Sequence, residues 1–197
     1  MSAAGTASRS AGGSAGRLQT FIVIAVAAIV MGVAAYLIVG PGDGVTEVQL
    51  KPGAAANAPV LGAEPPAFSG TTWDGKAINL ADYAGKPLWL TFGASWCPDC
   101  RNEAADVQAA YSSAQPKGLQ LVAIFINEPS ADIQAYATRA GLTFPIIVDE
   151  GADIASVYRS MGIPTHYFIG ADGKIKLVRI GALSREDMDQ AIASILN

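Results

Sequence analysis

The sequence predicts an α/β domain with a mixed central sheet, carried behind one apolar segment. Three observations predict it. From Ala67 onward, short apolar runs of strand character alternate with stretches of helical periodicity. The first third of the chain is poor in charge and rich in Ala, Gly, Ser and Pro, and it contains a long run without a charged residue. The only two cysteines, Cys97 and Cys100, stand three apart between a strand-like run and a helix-like one.

Residues 1–17 are small and polar and are expected to form a disordered tail. Phe21 to Val39 is a 19-residue stretch with no charge. At about 1.5 Å of rise per residue, such a helix matches the ~30 Å apolar core of a bilayer. A cleaved signal peptide is the competing reading, but its apolar region usually spans only about 7–15 residues. An uncleaved anchor over residues 18–40 is therefore expected. Arg9 and Arg17 precede the run, while Asp43 and Glu47 follow it. That bias puts the N-terminus in the cytoplasm and the large domain outside it, as a single-pass protein of the cell membrane. Residues 41–66, with PGDG, KPGAAANAP and EPP, read as a flexible tether.

The remaining segment, 67–197, is the expected globular domain. Asp74-Gly75 marks a hairpin turn between two short strands, an N-terminal extension of the sheet. Leu88 to Phe92 is a continuous apolar run, as in a strand covered on both faces. Ala104, Val107, Tyr111 and Ala114 form one stripe of the helix that follows the cysteines. Leu119 to Ile126 is a second buried strand. Ser130 is a candidate N-cap for a helix that Gly141 ends. A strand over 145–148 and a short helix over 152–160 come next. Thr165 to Ile169 and Ile175 to Ile180 are strands joined at Asp172-Gly173, whose hairpin makes the sheet mixed. Ser184 and Asp187 form a capping box for the last helix.

Of 17 acidic and 13 basic residues, only Asp43, Glu47, Arg9, Arg17 and Lys51 precede Glu64. The domain is thus net negative, and nucleic-acid binding is not expected. The two cysteines cannot complete a zinc site, because the chain has one histidine and no other thiol. As a structural staple they would close too short a loop to constrain the unfolded chain much. Two buried free thiols are the third alternative, but a CxxC directly after a strand and before a helix would be an unusual accident, and redox exchange is the expected role. Cys97 would sit at the start of a helix, where free N–H groups and the helix dipole favour a thiolate. Pro98 suits the first helical turn. Cys97 is then the attacking nucleophile, and Cys100, expected to face inward and be less exposed, resolves the mixed disulfide. Asp99 opposes the thiolate by like charge.

The segment Leu90-Thr91-Phe92-Gly93-Ala94-Ser95-Trp96-Cys97-Pro98-Asp99-Cys100-Arg101-Asn102-Glu103 resembles the active-site stretch of the thioredoxin superfamily. With Pro66-Ala67-Phe68, Leu80 to Lys86, Phe144-Pro145, Gly162-Ile163-Pro164-Thr165 and Asp172-Gly173-Lys174, it is similar to the membrane-anchored TlpA/ResA-like thiol–disulfide reductases over residues 64–197. The resemblance implies a thioredoxin-like fold. It also implies a cis-proline at Pro164 beside the cysteines, with the Ile163 backbone open to an extended substrate. Trp96 would contribute an apolar contact for the partner. Glu103 would lie near the pair, where a partly buried carboxylate can exchange protons with Cys100. Thr91 stands where cytosolic thioredoxins carry a buried aspartate. Gly93 replaces a tryptophan of many relatives, and Ala105 a proline.

The expected activity is a membrane-tethered, extracytoplasmic reductase of protein disulfides, and the resemblance implies cytochrome c maturation or metal-site assembly as its setting. A membrane electron donor would re-reduce it. It would be monomeric, without a cofactor or metal. A disulfide-forming oxidase of the same fold is the alternative, since direction follows from reduction potential. A metallochaperone using His166 is disfavoured by the shortage of ligands, and His166 reads as a neutral packed residue. A peroxidase would want Thr or Ser where Ala94 stands.

Overall fold

The computed structural model describes residues 21–31, 33, 59–160 and 162–196. The chain divides into two units, residues 1–49 and 50–197. In the first, the described residues 21–31 and 33 are helical. The polar tail, the rest of the expected anchor and the tether over 41–58 lie outside the described residues. Among the described residues, no helix is long and apolar enough to cross a membrane.

The second unit begins its ordered contacts a few residues before Ala67. Gly62 N–H donates to the Ile175 carbonyl at 2.8 Å, and Ile175 N–H donates back to Ala63 at 2.9 Å. The Pro66 carbonyl accepts the Tyr158 hydroxyl at 2.7 Å. The low-complexity composition hid these contacts, because residues 62–66 make them with backbone groups and not with their own side chains.

A hairpin of β1 (Ser69–Thr71) and β2 (Ala77–Asn79) forms a separate two-stranded sheet. The main sheet contains β3 (Leu88–Gly93), β4 (Gln120–Ile126), β5 (Ile146–Asp149), β6 (Thr165–Ile169) and β7 (Ile175–Ile180). Its order is β5-β4-β3-β6-β7. β3 pairs in parallel with β4, as does β4 with β5. β6 runs antiparallel to β3 and to β7, so the sheet is mixed. The hairpin leans on the β5 edge, where Trp73 N–H donates to the Ile146 carbonyl at 3.2 Å. Gly70 is required there: a Cβ would meet Ile147 Cγ2 at 2.5 Å.

Among the described residues, four α-helices complete the domain: α1 (Pro98–Ala114), α2 (Ser130–Ala140), α3 (Asp153–Val157) and α4 (Arg185–Leu196). Alternate residues of the central strands supply the two faces of the sheet. Trp89, Leu121, Ala123, Phe125, Ile146 and Phe168 pack with α1, α2 and α4. Leu88, Leu90, Phe92, Val122, Ile124 and Tyr167 pack against the hairpin, α3 and Tyr158. All six residues of β3 are buried, as expected of a strand covered on both sides. Each large apolar side chain so buried contributes about 1.5–3 kcal/mol relative to an exposed one.

Ser130 does not cap α2. Pro129 takes the N-cap position, Ser130 is the first helical residue, and its hydroxyl donates to the Trp73 carbonyl at 3.3 Å. Pro129, already extended at φ −74° and ψ 154°, sets the start of the helix one residue earlier. The strand expected over 145–148 is β5 at Ile146–Asp149, and the short helix expected over 152–160 is confined to α3. The Ser184–Asp187 capping box opens α4: Asp187 N–H donates to Ser184 Oγ at 3.1 Å, and Ser184 N–H points at Asp187 Oδ2 at 3.4 Å.

Candidate active site

The cysteine pair sits where β3 ends and α1 begins, at the carboxyl edge of the parallel strands, where open α/β sheets place their sites. Strand register brings the other parts to the same edge. Phe92 pairs with Thr165, so the segment preceding β6 lies beside the loop leaving β3. The Ile163–Pro164 peptide bond in that segment is cis. Cys97 and Cys100 are joined in a disulfide, with Cα atoms 5.3 Å apart. Ala94 and Ile163 pack against them.

Cys97 is the N-cap of α1, and its sulfur accepts the Cys100 backbone N–H at 3.2 Å. This is the helix-terminus environment that stabilises negative charge on sulfur. Cys97 Sγ is also 3.8 Å from the Ile163 carbonyl oxygen. Both cysteines are buried, but Cys97 is 4% exposed and Cys100 8%. The expected order of exposure is therefore reversed. Ile163 covers the first sulfur. The second stays open on one side because Gly93 has no side chain: a Cβ there would lie 3.5 Å from Cys100 Sγ and 3.4 Å from Phe125 Cε1. Trp96 projects at the rim, 51% exposed.

Glu103, one turn beyond Cys100, is buried at 6% exposure. Its Oε2 accepts the Leu183 N–H at 2.9 Å, and its Oε1 lies 3.5 Å from His166 Nε2. His166 is fully buried, between Thr91 and Trp89 of β3. Among the described residues, no cluster of His, Cys, Asp and Glu could hold a metal ion.

One residue here escapes sequence reasoning. Glu128, just beyond β4 and 4% exposed, accepts the Ser95 N–H at 2.7 Å and the Ser95 hydroxyl. It ties down the loop that carries Trp96 and Cys97. The available signal was an acid directly after a buried strand, at the edge that carries the cysteines. Replacing Glu128 by Ala leaves two part-buried donors of Ser95 without their acceptor, so we expect a stability loss of about 1 kcal/mol in urea unfolding and slower thiol exchange at Cys97. Unchanged values for both would remove Glu128 from the site.

This sheet order, with a helix-capping CxxC pair beside a cis-proline, defines a thiol–disulfide oxidoreductase of the thioredoxin superfamily. Residues 61–178 match the AhpC/TSA family. The thiol-disulfide oxidoreductase ResA of Geobacillus thermodenitrificans is 32% identical over 135 residues, covering 68% of this chain and 78% of that protein. The chain belongs to the AhpC/TSA family, among its ResA-like thiol–disulfide oxidoreductases. Solved structures agree. A thiol:disulfide interchange protein from Chlorobium tepidum superposes with a TM-score of 0.64 at 29% identity, over 71% of this chain and all (100%) of that one. StoA from Bacillus subtilis superposes with a TM-score of 0.56 at 25% identity, over 64% and 96%.

Proposed function

We propose that this protein is a membrane-tethered, extracytoplasmic reductase of protein disulfides. The observation that carries the chemistry is the Cys97 sulfur capping α1 beside Ile163. In the reduced protein, the Cys97 thiolate attacks a substrate disulfide, forming a mixed disulfide and expelling one substrate thiolate. Cys100 then loses its proton to Glu103 and attacks Cys97 Sγ, which releases the second substrate thiolate. The substrate gains two electrons and the cysteine pair becomes the disulfide. A membrane electron donor restores the dithiol. Ile163, Pro164 and Trp96 receive the substrate, whose extended backbone pairs alongside Ile163.

The apolar run Phe21–Val39 and the arginines before it support the anchor and the outward placement of residues 67–197. The exterior of a cell is where protein disulfides form and need correction. Resemblance to the TlpA/ResA-like reductases favours cytochrome c maturation or metal-site assembly as the setting. We read the active form as a monomer.

A Cys100→Ser variant tests this reading. Without the resolving thiol, the partner stays bound to Cys97 and accumulates as a covalent adduct that dithiothreitol releases. Absence of any adduct in cells that express the variant at the membrane would remove the substrate-reductase assignment. Equilibration of the domain with glutathione separates reductase from oxidase: a potential below that of the glutathione couple favours reduction of substrates.

A further inference from the structure

His166 is buried without solvent contact, and its Nε2 makes no hydrogen bond within ordinary limits, although Glu103 Oε1 lies 3.5 Å away. A buried polar atom of this kind calls for an explanation. The other ring nitrogen supplies it. Trp89 Nε1–H can only donate, and it is 3.3 Å from His166 Nδ1. Thr91 Oγ1 lies 3.0 Å from the same nitrogen. Nδ1 is therefore the acceptor, and the single proton of the neutral imidazole sits on Nε2. That nitrogen lies 3.5 Å from Glu103 Oε1, just short of a hydrogen bond in the oxidised protein.

We propose that His166 is a positioning residue for Glu103. Its Nε2–H, with the Leu183 N–H on the other oxygen, holds the carboxylate in place one turn beyond Cys100, where it receives the Cys100 proton when the mixed disulfide resolves. This rests on the proton-accepting role proposed above for Glu103. The ladder explains the arrangement: Thr91 pairs with His166 and Trp89 with Phe168, so Trp89, Thr91 and His166 share the sheet face under α1. A donor aimed at a carboxylate oxygen favours the ionised form over the acid.

Other charged and titratable groups surround the pair. Cys100 and Arg101 lie on α1 and Tyr136 on α2, the last with a phenol pushed up by burial, lowered in part by the charge of Arg101 and raised less by that of Glu103. Arg179 of β7 stands opposite His166 in the ladder but is exposed. The segment before α4 offers only the Leu183 backbone N–H.

The test uses the reduced protein and the disulfide of dithionitrobenzoate. Cys97 attacks first, releasing one thionitrobenzoate. Cys100 then gives up its proton and attacks Cys97 Sγ, forming the intramolecular disulfide and releasing the second. In His166→Leu, the rate of the second release should retain its plateau, while its acid limb moves up by about one pH unit. His166→Gln, whose amide can still donate to Glu103, should restore the wild-type limb. Leu also removes the acceptor of the Trp89 N–H, so urea unfolding of both variants is measured alongside and separates any stability loss from the shift. Glu103→Gln should abolish the limb. Superimposable profiles for wild type and His166→Leu, or equal shifts for Leu and Gln, overturn the proposal.

Nitrogen-15 chemical shifts of the wild-type imidazole give a second decision that needs no folded variant. An Nε2-protonated neutral ring at pH 7 is expected, and an Nδ1-protonated ring or an imidazolium would refute the assignment. This reading involves no thiol chemistry, so it decides His166 even if the first release fails and the reductase reading falls.

Discussion

Replacing Cys97 by serine should reduce the rate of disulfide exchange by at least about a thousandfold, while Cys100→Ser should keep the attacking step. Exposure alone does not predict this, because Cys100 is slightly the more exposed of the two. Position does. Cys97 occupies the N-cap of a 17-residue helix, and the Cys100 N–H points at its sulfur. Negative charge on Cys97 is therefore met by a backbone donor and by the helix dipole. Cys100 is the third residue of that helix, its own N–H is the one given to Cys97, and among the described residues no backbone N–H is directed at its sulfur. The same asymmetry predicts that iodoacetamide, applied at neutral pH to the reduced protein, alkylates Cys97 before Cys100. Mass spectrometry of the tryptic peptide, after brief labelling of each serine variant, reads the ratio. Equal labelling, or faster labelling of Cys100, would transfer the nucleophile to the second cysteine.

The elements that periodicity defines were legible. The run Leu88–Phe92 is a strand because only a strand buried on both faces tolerates so continuous an apolar sequence. β6 and β7 coincide with the stretches read between Thr165 and Ile180, since Asp172-Gly173 fixes the turn and Gly173 takes φ 76°. What stayed hidden depends on register. Nothing local to Glu128 indicates Ser95, and nothing local to His166 indicates Trp89, Thr91 and Glu103. Those contacts exist because β4, β3 and β6 lie side by side. The exposure order of the cysteines failed for a related reason. Helix phase places Cys100 inward, but Ile163 arrives from the segment before β6 to cover Cys97, and Gly93 withholds cover from Cys100. Ser130 misled because a local capping preference yielded to the fixed backbone of Pro129 and to a carbonyl on the hairpin.

Alkaline unfolding should be steep, and Tyr158 should dominate it. The ring is 1% exposed and packs edge-on or tilted against Phe68, Phe92 and Tyr167. Its hydroxyl donates to the Pro66 carbonyl, and the Tyr167 hydroxyl donates to the Tyr158 carbonyl at 2.9 Å. Burial, and to a lesser degree Tyr167, raise the Tyr158 phenol far above the ordinary value of 10.0. Burial also raises Tyr167. Below about pH 10 the phenols are neutral in both folded and unfolded chains, so their contribution to stability is fully present. Above it, the unfolded chain releases protons that the folded one retains. Stability then falls by about 1.4 kcal/mol per pH unit for Tyr158, until the raised folded value is reached. Tyr167 adds to the slope over its own narrower window. By pH 12, Tyr158 alone should remove about 2.7 kcal/mol, a large share of a typical 5–15 kcal/mol. Urea midpoints between pH 8 and 12, with tyrosinate absorbance followed in parallel, measure it. Tyr158→Phe should lose about 0.5–1.5 kcal/mol at pH 8 through the missing Pro66 hydrogen bond, yet show a shallower alkaline slope, so that the two proteins converge and then cross. If the folded protein ionised all its tyrosines near pH 10 without loss of structure, the packing assigned to Tyr158 would be wrong, and with it the closure of the sheet face opposite α1.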